Sequence, residues 1–240
     1  YRGTLQLFNN RQTSDFRLKI VMTNKKAFIF DLDGVIVDTA RYHFLAWQKL
    51  AHKLGINFTP EHNEHLKGVS RIRSLDIILE LGNIQATPEE KNKWLFEKNE
   101  EYLSYLVNMN QDELLPGILI TLKFLRENGQ YIALGSASKN ARPILEKTDI
   151  LHYFDAIVDG NDVTNAKPDP EVFLRACQLL FVSPEDSIVF EDSVAGIQAA
   201  NSARMKSVGI GDKEILHEAE FIFPDFTTIN EQFIRSLMSQ

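Results

Sequence analysis

The chain has 240 residues, of which 44% are hydrophobic and 25% charged, a balance typical of one large globular domain or of a core domain with a smaller one. Its formal net charge of -7 argues against a nucleic-acid-binding protein, because contacts to a phosphate backbone need a basic surface. No apolar run approaches the length that spans a membrane, and the one cysteine, Cys177, excludes an intrachain disulfide and favours a reducing, cytoplasmic location.

Residues 1–21 differ in pattern from the rest of the chain. Residues 4–8 and 16–20 each alternate apolar and polar side chains, and a polar stretch separates them. This pattern predicts a β-hairpin with a long turn. Because a lone hairpin is only marginally stable in water, we interpret residues 1–21 as an extension of the core domain. It is the remnant of an upstream β-rich domain, an artefact of expression or a disordered leader.

The apolar run at residues 27–30 is too short for a helix and suits a buried strand of a parallel sheet. Two acids, Asp31 and Asp33, follow it, and Gly34 then permits a sharp turn. Unpaired carboxylates are costly at the end of a buried strand, so a cation is expected beside them. In phosphoryl transfer, Asp31 would be the nucleophile and Asp33 the general acid and base. The alternative is an Asp-Gly turn that caps a helix.

Residues 39–110 show helical periodicity without a strand signal. Thr39, His43 and Trp47 fall at intervals of four on one face of the first predicted helix. The next predicted helices cover residues 71–81 and 88–107. We therefore expect a small helical cap domain at 39–110, inserted into a core domain that consists of residues 22–38 and 111–240.

After residue 116, predicted helices and strands alternate. The strands are expected at 131–134, 156–158, 187–190, 207–210 and 220–223, and the helices at 118–128, after the turn 135–138, at 171–180 and at 193–203. This alternation predicts right-handed crossovers and an α/β fold with a doubly wound, Rossmann-like parallel sheet. Ligands of such folds bind beyond the carboxyl ends of the strands. One rim should therefore carry four chemically active positions: Asp31, Ser136, Lys167 and the pair Glu191-Asp192.

Three of these positions suit phosphate chemistry, and each also has a structural alternative. Ser136 precedes a predicted helix, where it would bind a phosphate or simply cap the helix. Lys167 lies in a loop that two prolines stiffen and would neutralise a transferred phosphoryl group, although most surface lysines are merely solvated. Glu191 and Asp192 would bind Mg2+ through oxygen, or Asp192 would cap the next helix. Two acid pairs on two strand ends favour the metal site.

These positions carry a family resemblance. In order and context, Asp31-x-Asp33-Gly34, Ser136, Lys167-Pro168 and Glu191-Asp192 resemble the four motifs of the haloacid dehalogenase superfamily of phosphotransferases. The helical residues 39–110 resemble the small mobile cap of that superfamily. The resemblance extends from Lys25 to the C-terminus. Within the superfamily, four stretches resemble its sugar phosphomutases: residues 31–40, 66–71, 135–140 and 191–197.

The resemblance implies a role for each matched residue. The catalytic residues would be Asp31, the phosphorylated nucleophile, Asp33, the general acid and base, and the phosphate-binding Ser136 and Lys167. Mg2+ would be the cofactor, bound by Asp31, the Asp33 carbonyl, Glu191 and Asp192. The substrate would be bound by His43, Trp47, Lys67, Gly68, Val69, Arg71, Lys98, Ala137, Ser138, Lys139 and Asn140.

The expected function is therefore a phosphomutase that interconverts β-D-glucose 1-phosphate and D-glucose 6-phosphate through an aspartyl-phosphate and β-glucose 1,6-bisphosphate. Lys67 and Arg71 are four residues apart, so both would face the second phosphate if their segment is helical. The alternatives are a sugar-phosphate or phosphoglycolate phosphatase, in which Asp33 activates water, and a non-catalytic sugar-phosphate-binding domain. We expect a monomer without a nucleic-acid or membrane partner, fused to or working with a sugar phosphorylase.

Overall fold

The computed structural model describes residues 25–66 and 68–239, so the hairpin predicted at residues 1–21 lies outside the described residues. The described chain contains a six-stranded sheet in the order β3-β2-β1-β4-β5-β6, and every neighbouring pair of strands is parallel. The strands are β1 Ala27–Phe30, β2 Tyr131–Gly135, β3 Ala156–Val158, β4 Ser187–Glu191, β5 Lys206–Ile210 and β6 Phe221–Phe223. The predicted doubly wound parallel sheet is confirmed.

Nine α-helices are found in the described residues: α1 Ala40–Lys53, α2 Pro60–Glu64, α3 Arg71–Leu81, α4 Pro88–Tyr105, α5 Ile118–Glu127, α6 Ala141–Lys147, α7 Glu171–Leu180, α8 Val194–Ser202 and α9 Glu231–Ser239. The predicted helices are present, whereas α2 and α9 were not predicted. Glu191 belongs to β4 itself, although the sequence placed it after the strand. Within the described ranges, no helix combines the length and apolarity needed to cross a membrane.

Apolar side chains of the sheet alternate between its two faces. Phe28 and Phe30 of β1 contribute to an apolar cluster with helices α5, α6 and α9, while Ala27 and Ile29 contribute to the opposite cluster with α7 and α8. Helices on both faces bury β1 completely, which explains why the strand is a continuous apolar run. The chemically active residues after β1 therefore follow a strand that is fully buried.

Helices α1–α4, residues 40–105, have an apolar cluster of their own, and we call them the helical insert. Trp47 and Leu50 of α1 meet Leu75 and Ile78 of α3 in this cluster. Helix α4 begins with a reciprocal capping box, in which the Thr87 hydroxyl accepts from a backbone N–H while the side chain three residues on accepts from Thr87 N–H. The helical insert can therefore pack as a small unit above the sheet.

The stacked pair of Phe30 and Phe190 supplies a test of this architecture. The two ring centroids are 4.8 Å apart, and both side chains are fully buried between β1, β4 and the covering helices. Phe190→Ala should lower the free energy of unfolding by about 3–5 kcal/mol because it leaves a cavity. Phe181→Ala, at a position that is 96% exposed, is the matched control and should change it by less than about 0.5 kcal/mol. Urea unfolding followed by circular dichroism measures the free energy of unfolding of each variant. Equal decreases in Phe190→Ala and Phe181→Ala would contradict this packing.

Candidate active site

A cavity lies between the carboxyl rim of the sheet and the helical insert. It is reached by most of the predicted site residues: Asp31, Asp33, His43, Trp47, Gly68, Val69, Arg71, Lys98, Ala137, Ser138, Lys139 and Asp192. It is also lined by Ala40, Asn63, Leu66 and Ser74, which the sequence did not single out. Strand β1 lies between β2 and β4 in the sheet, so the residues that follow these three strands converge beneath the cavity.

Lys167 is buried between two carboxylates. Its Nζ lies 2.5 Å from Asp31 Oδ1 and 2.6 Å from Glu191 Oε1, and it also stands over the ring of Phe173. Burial alone would lower the pKa of the Lys167 ammonium, but the two carboxylates outweigh burial and raise it. This lysine is therefore a fixed positive charge beneath the cavity, and its alternative as a merely solvated surface residue is wrong.

Burial and the neighbouring charges shift the pKa of the Asp31 carboxyl in opposite directions. Burial raises its pKa to about 7; Lys167 opposes the rise, and the nearby acids Glu191 and Asp33 add to it. Ionised Asp31 is therefore costly in this site without further positive charge. A bound cation would supply that charge and keep the Asp31 carboxylate ionised.

Asp31, Glu191 and Asp192 form a group in which one carboxylate oxygen of each residue lies within 4.8 Å of those of the other two. A set of three carboxylates is the donor chemistry of a hard divalent cation. Ser193 fixes one ligand, because its N–H and its hydroxyl both donate to Glu191 Oε2, at 2.8 and 3.0 Å. The residues present therefore fit a metal ion. The carboxylate of Asp33 lies outside this group, so a contribution from its carbonyl stays a prediction.

Two glycines make room for the acids. Gly34 has φ +82, and a Cβ there would lie 2.2 Å from Asp192 Oδ2. A Cβ at Gly196, in the first turn of α8, would lie 1.8 Å from Glu191 Oε1. Helix α8 itself is capped by the Ser193 hydroxyl, which accepts from Gly196 N–H. The alternative interpretation of Asp192 as this helix cap is therefore wrong, and Asp192 lines the cavity.

Asp33 turns away from the metal-ligand group toward the helical insert. The Thr39 hydroxyl donates to Asp33 Oδ1, and His43 Nε2 lies 3.7 Å from Asp33 Oδ2. Burial raises the pKa of the Asp33 carboxyl, while Thr39 and Lys98 oppose the rise. A carboxyl whose pKa is above its usual value takes up and gives back protons more readily near neutral pH, as a general acid and base must.

Lys98 of α4 enters the cavity beside His43. Its Nζ lies 2.8 Å from His43 Nδ1 and over the rings of Trp47 and Tyr102. While Lys98 is protonated its ammonium has no lone pair, so Nδ1 of His43 accepts and Nε2, on the side of Asp33, carries the proton. Burial and the neighbouring cations Lys98 and Arg71 lower the pKa of His43, which keeps the imidazole neutral.

Ser136 and Ser138 shape the loop at residues 136–140, which we call the phosphate loop because the sequence predicts phosphate binding there. The Ser136 hydroxyl accepts from Ser138 N–H at 3.1 Å, and the Ser138 hydroxyl accepts from Asn140 N–H at 3.3 Å. Helix α6 begins only at Ala141, with Asn140 in the N-cap position. Neither serine is the cap of this helix, so that alternative is wrong; Ser136 lies buried beneath the cavity.

The segment before α3 is not helical. Gly68 has φ +73, Ser70 has an extended backbone and caps α3 by accepting from Arg73 N–H, and Arg71 is the first helical residue. The helical arrangement that would have paired Lys67 with Arg71 is therefore wrong, and Lys67 lies outside the described residues. A Cβ at Gly68 would lie 2.5 Å from Ser193 Oγ, so glycine allows this loop to approach the core.

Tyr102 is a site residue that the sequence analysis missed. It is fully buried, its ring stacks on His43 with centroids 4.0 Å apart, and its hydroxyl has no hydrogen-bond partner among the described residues. Thr39 was taken as part of a helix face, but it is the buried residue that binds Asp33. The four-residue spacing between Lys98 and Tyr102 was the available signal, since it places both on one face of α4.

The chain is similar to known proteins over most of its length. A family model described as haloacid dehalogenase-like hydrolase matches residues 25–204. A β-phosphoglucomutase of Bacillus subtilis is 43% identical over 82% of this chain and 88% of its own length. The crystal structure of a β-phosphoglucomutase from Clostridium difficile has a TM-score of 0.86 and 44% identity, covering 90% of this chain and 97% of its own. A phosphorylated carbohydrates phosphatase of Thermotoga maritima is 34% identical over 76% of this chain and 83% of its own length.

Gly34→Ala tests the metal site. The new methyl group would collide with Asp192 Oδ2, so divalent-cation affinity should fall by at least about tenfold. Gly55→Ala is the matched control, because Gly55 also has a positive φ, +76, but a Cβ there meets nothing within 4 Å. Both variants should lose about 1–2 kcal/mol of stability from left-handed backbone strain. Calorimetric titration measures the Mg2+ affinity of each variant. Equal affinities in the two variants would refute the ligand role of Asp192.

Lys98 should give the protein a characteristic pH dependence. Burial, the largest influence, and Arg71 lower its pKa to about 7, while Asp33 opposes them. The unfolded chain keeps a lysine pKa of about 10.4, so it binds more protons than the folded protein between these values. Stability should therefore rise as the pH increases from about 7 to about 10. In Lys98→Met this rise should be smaller, whereas Lys93→Met, at an exposed site on the same helix, should keep it in urea unfolding.

Proposed function

This chain belongs to the haloacid dehalogenase-like hydrolase family, and we propose that it is a β-phosphoglucomutase, which interconverts β-D-glucose 1-phosphate and D-glucose 6-phosphate. The observation that carries the proposal is a cavity with cationic side chains at both ends. Asp31 lies at the core end with Lys167 beneath it, while Arg71 and Lys98 lie at the end formed by the helical insert. A mutase must hold two phosphates at once, and a simple phosphatase needs only one such group.

In the proposed reaction, Asp31 is the nucleophile and Asp33 moves the proton. Phosphorylated Asp31 transfers its phosphoryl group to the C6 hydroxyl of β-glucose 1-phosphate while Asp33 accepts the hydroxyl proton. The bisphosphate then turns over in the cavity. An oxygen of Asp31 attacks the C1 phosphorus, Asp33 returns the proton to the leaving C1 oxygen, and glucose 6-phosphate is released. Atoms and charges balance over the cycle because each step reverses the other.

Groups on the core side of the cavity would stabilise the negative charge on the transferred phosphoryl group. Lys167 provides one fixed positive charge, and Ser136 provides a buried hydroxyl at the carboxyl end of β2. We propose that the metal is Mg2+, held by Asp31, Glu191, Asp192 and the carbonyl of Asp33. When bound, the ion neutralises charge on the phosphoryl oxygens.

We propose that residues 39–110 form the cap domain and that residues 22–38 and 111–240 form the core domain. The separate apolar cluster of the helical insert supports this division. The cap would hold the sugar and its second phosphate through His43, Trp47, Lys67, Gly68, Val69, Arg71 and Lys98, and the phosphate loop would contribute Ala137, Ser138, Lys139 and Asn140. Closure over the core would exclude water, so that a sugar hydroxyl accepts the phosphoryl group.

A phosphatase of the same fold is the second candidate, and a relative named as a phosphatase at 34% identity favours it. In that reaction Asp33 would activate water. A non-catalytic sugar-phosphate-binding domain agrees less well with a site that retains its nucleophile, acid, lysine and metal-ligand group. We further propose that the enzyme is a cytoplasmic monomer and that a sugar phosphorylase, fused or separate, supplies β-glucose 1-phosphate.

Turnover of β-glucose 1-phosphate tests the proposed function. With Mg2+ and a trace of β-glucose 1,6-bisphosphate, glucose 6-phosphate should form without a matching amount of free phosphate. Asp31→Asn should reduce turnover by at least about a thousandfold, because the nucleophile is lost. Asp33→Asn should reduce it by about 10²–10⁴-fold, because proton transfer is lost.

Asp112→Asn, at an exposed acid, is the matched control and should leave turnover unchanged. Free phosphate released as fast as sugar phosphate is consumed would identify a phosphatase. Absence of both products would favour the binding domain.

A further inference from the structure

A hydrogen bond joins the phosphate loop to the helical insert. Asn140, at the end of that loop, donates from Nδ2 to Oδ1 of Asn99 in α4, at 3.1 Å. The two residues are 41 positions apart in the chain, and both side chains are only partly exposed. Asn140 stands in the N-cap position of α6, yet its side chain does not cap that helix. Its amide is therefore directed across the boundary between core and helical insert.

The main chain of the phosphate loop is fixed from the other side, by the core. Gly160 N–H donates to the carbonyl of Ser138 at 3.2 Å, and Asn161 Nδ2 donates to the carbonyl of Lys139 at 3.1 Å. A Cβ at Gly160 would lie 2.3 Å from the Ala137 carbonyl oxygen, so this contact is close. The core thus holds the backbone of the loop, whereas α4 holds the side chain of Asn140.

Helix α6 is also attached to the chain that follows α4. Lys147 Nζ donates to the carbonyl of Val107 at 3.1 Å, and Gln111 Nε2 donates to Asp149 Oδ2 at 3.5 Å. Both ends of α6 therefore contact α4 or its continuation. Asn99 directly follows Lys98, whose ammonium enters the cavity. A displacement of α4 would move the Lys98 ammonium and also take the Asn99 acceptor away from the Asn140 amide.

We propose that Asn99 is a positioning residue that orients Asn140 toward a phosphate of the substrate, and this inference rests on the proposed function. Asn140 has two N–H groups on Nδ2. Asn99 accepts one, which fixes the amide plane and leaves the other to donate to a phosphate oxygen. The Asn140 amide is then held in this orientation only when α4 is seated against the phosphate loop. Asn99 thereby makes binding of a phosphate at the core depend on the position of the helical insert.

Asn99→Ala tests the inference. Without its partner the Asn140 amide can rotate, so KM for β-glucose 1-phosphate should rise about fivefold, the effect expected for one hydrogen bond, while kcat changes by less than about twofold. A merely structural role would lower the active fraction, and so the apparent kcat, and leave KM unchanged. Asn92→Ala makes the same change at an exposed position of the same helix and should alter neither constant.

A double-mutant cycle shows whether Asn99 acts through Asn140. Asn140→Ala should raise KM by itself, and adding Asn99→Ala should then have no further effect. A KM that stays unchanged in Asn99→Ala, or an Asn99→Ala effect that persists in the Asn140→Ala background, would overturn the proposal. Thermal unfolding of all variants identifies any that fail to fold.

Failure of the proposed function is recognised in the wild-type protein, before any variant is compared. If the wild type releases free phosphate rather than glucose 6-phosphate, the same cycle is measured on phosphate release. If it turns over neither, the dissociation constant of β-glucose 1-phosphate from calorimetry replaces KM. In each case the inference is tested in the same way: the effect of Asn99→Ala should disappear when Asn140 is already replaced by alanine.

Discussion

The site depends on one buried arrangement of charge, the Lys167 ammonium between Asp31 and Glu191. Three charged groups without solvent would be costly if any one lacked a partner. Lys167 offsets one of the two negative charges and leaves the second for a cation bound among Asp31, Glu191 and Asp192. The same lysine that neutralises part of this buried negative charge is thus placed where a transferred phosphoryl group would need positive charge.

This arrangement requires the order of the strands. Asp31 follows β1 and Glu191 ends β4, and the two strands are hydrogen-bonded neighbours, although more than 150 residues separate them in the chain. Glycine then sets how closely the surrounding chain approaches. Gly34 and Gly196 admit the carboxylates from the core, and Gly68 brings the helical insert down to Ser193. A Cβ at any of these three glycines would collide with a neighbouring side chain, so these close approaches require glycine.

Much of the fold was predictable because local pattern and final environment agree. The run Ala27–Phe30 is apolar throughout and is buried on both faces, so its assignment needed no tertiary information. Helix α2 was missed because it has only five residues, too few to show a period. The segment before Arg71 was misjudged for another reason: its spacing suits a helix, but Gly68 has a positive φ and Ser70 begins α3 as its cap.

By itself, the sequence determined the parallel sheet, the helical insertion after the first strand and the positions of the acids, serine and lysine at the rim. Residue type and strand periodicity are local properties, and parallel strands place their carboxyl ends together. Only the tertiary structure decided which groups pair: Lys167 with two acids, Thr39 with Asp33, and Asn99 with Asn140. Such pairs depend on distances between segments far apart in the chain, and no local spacing encodes these distances.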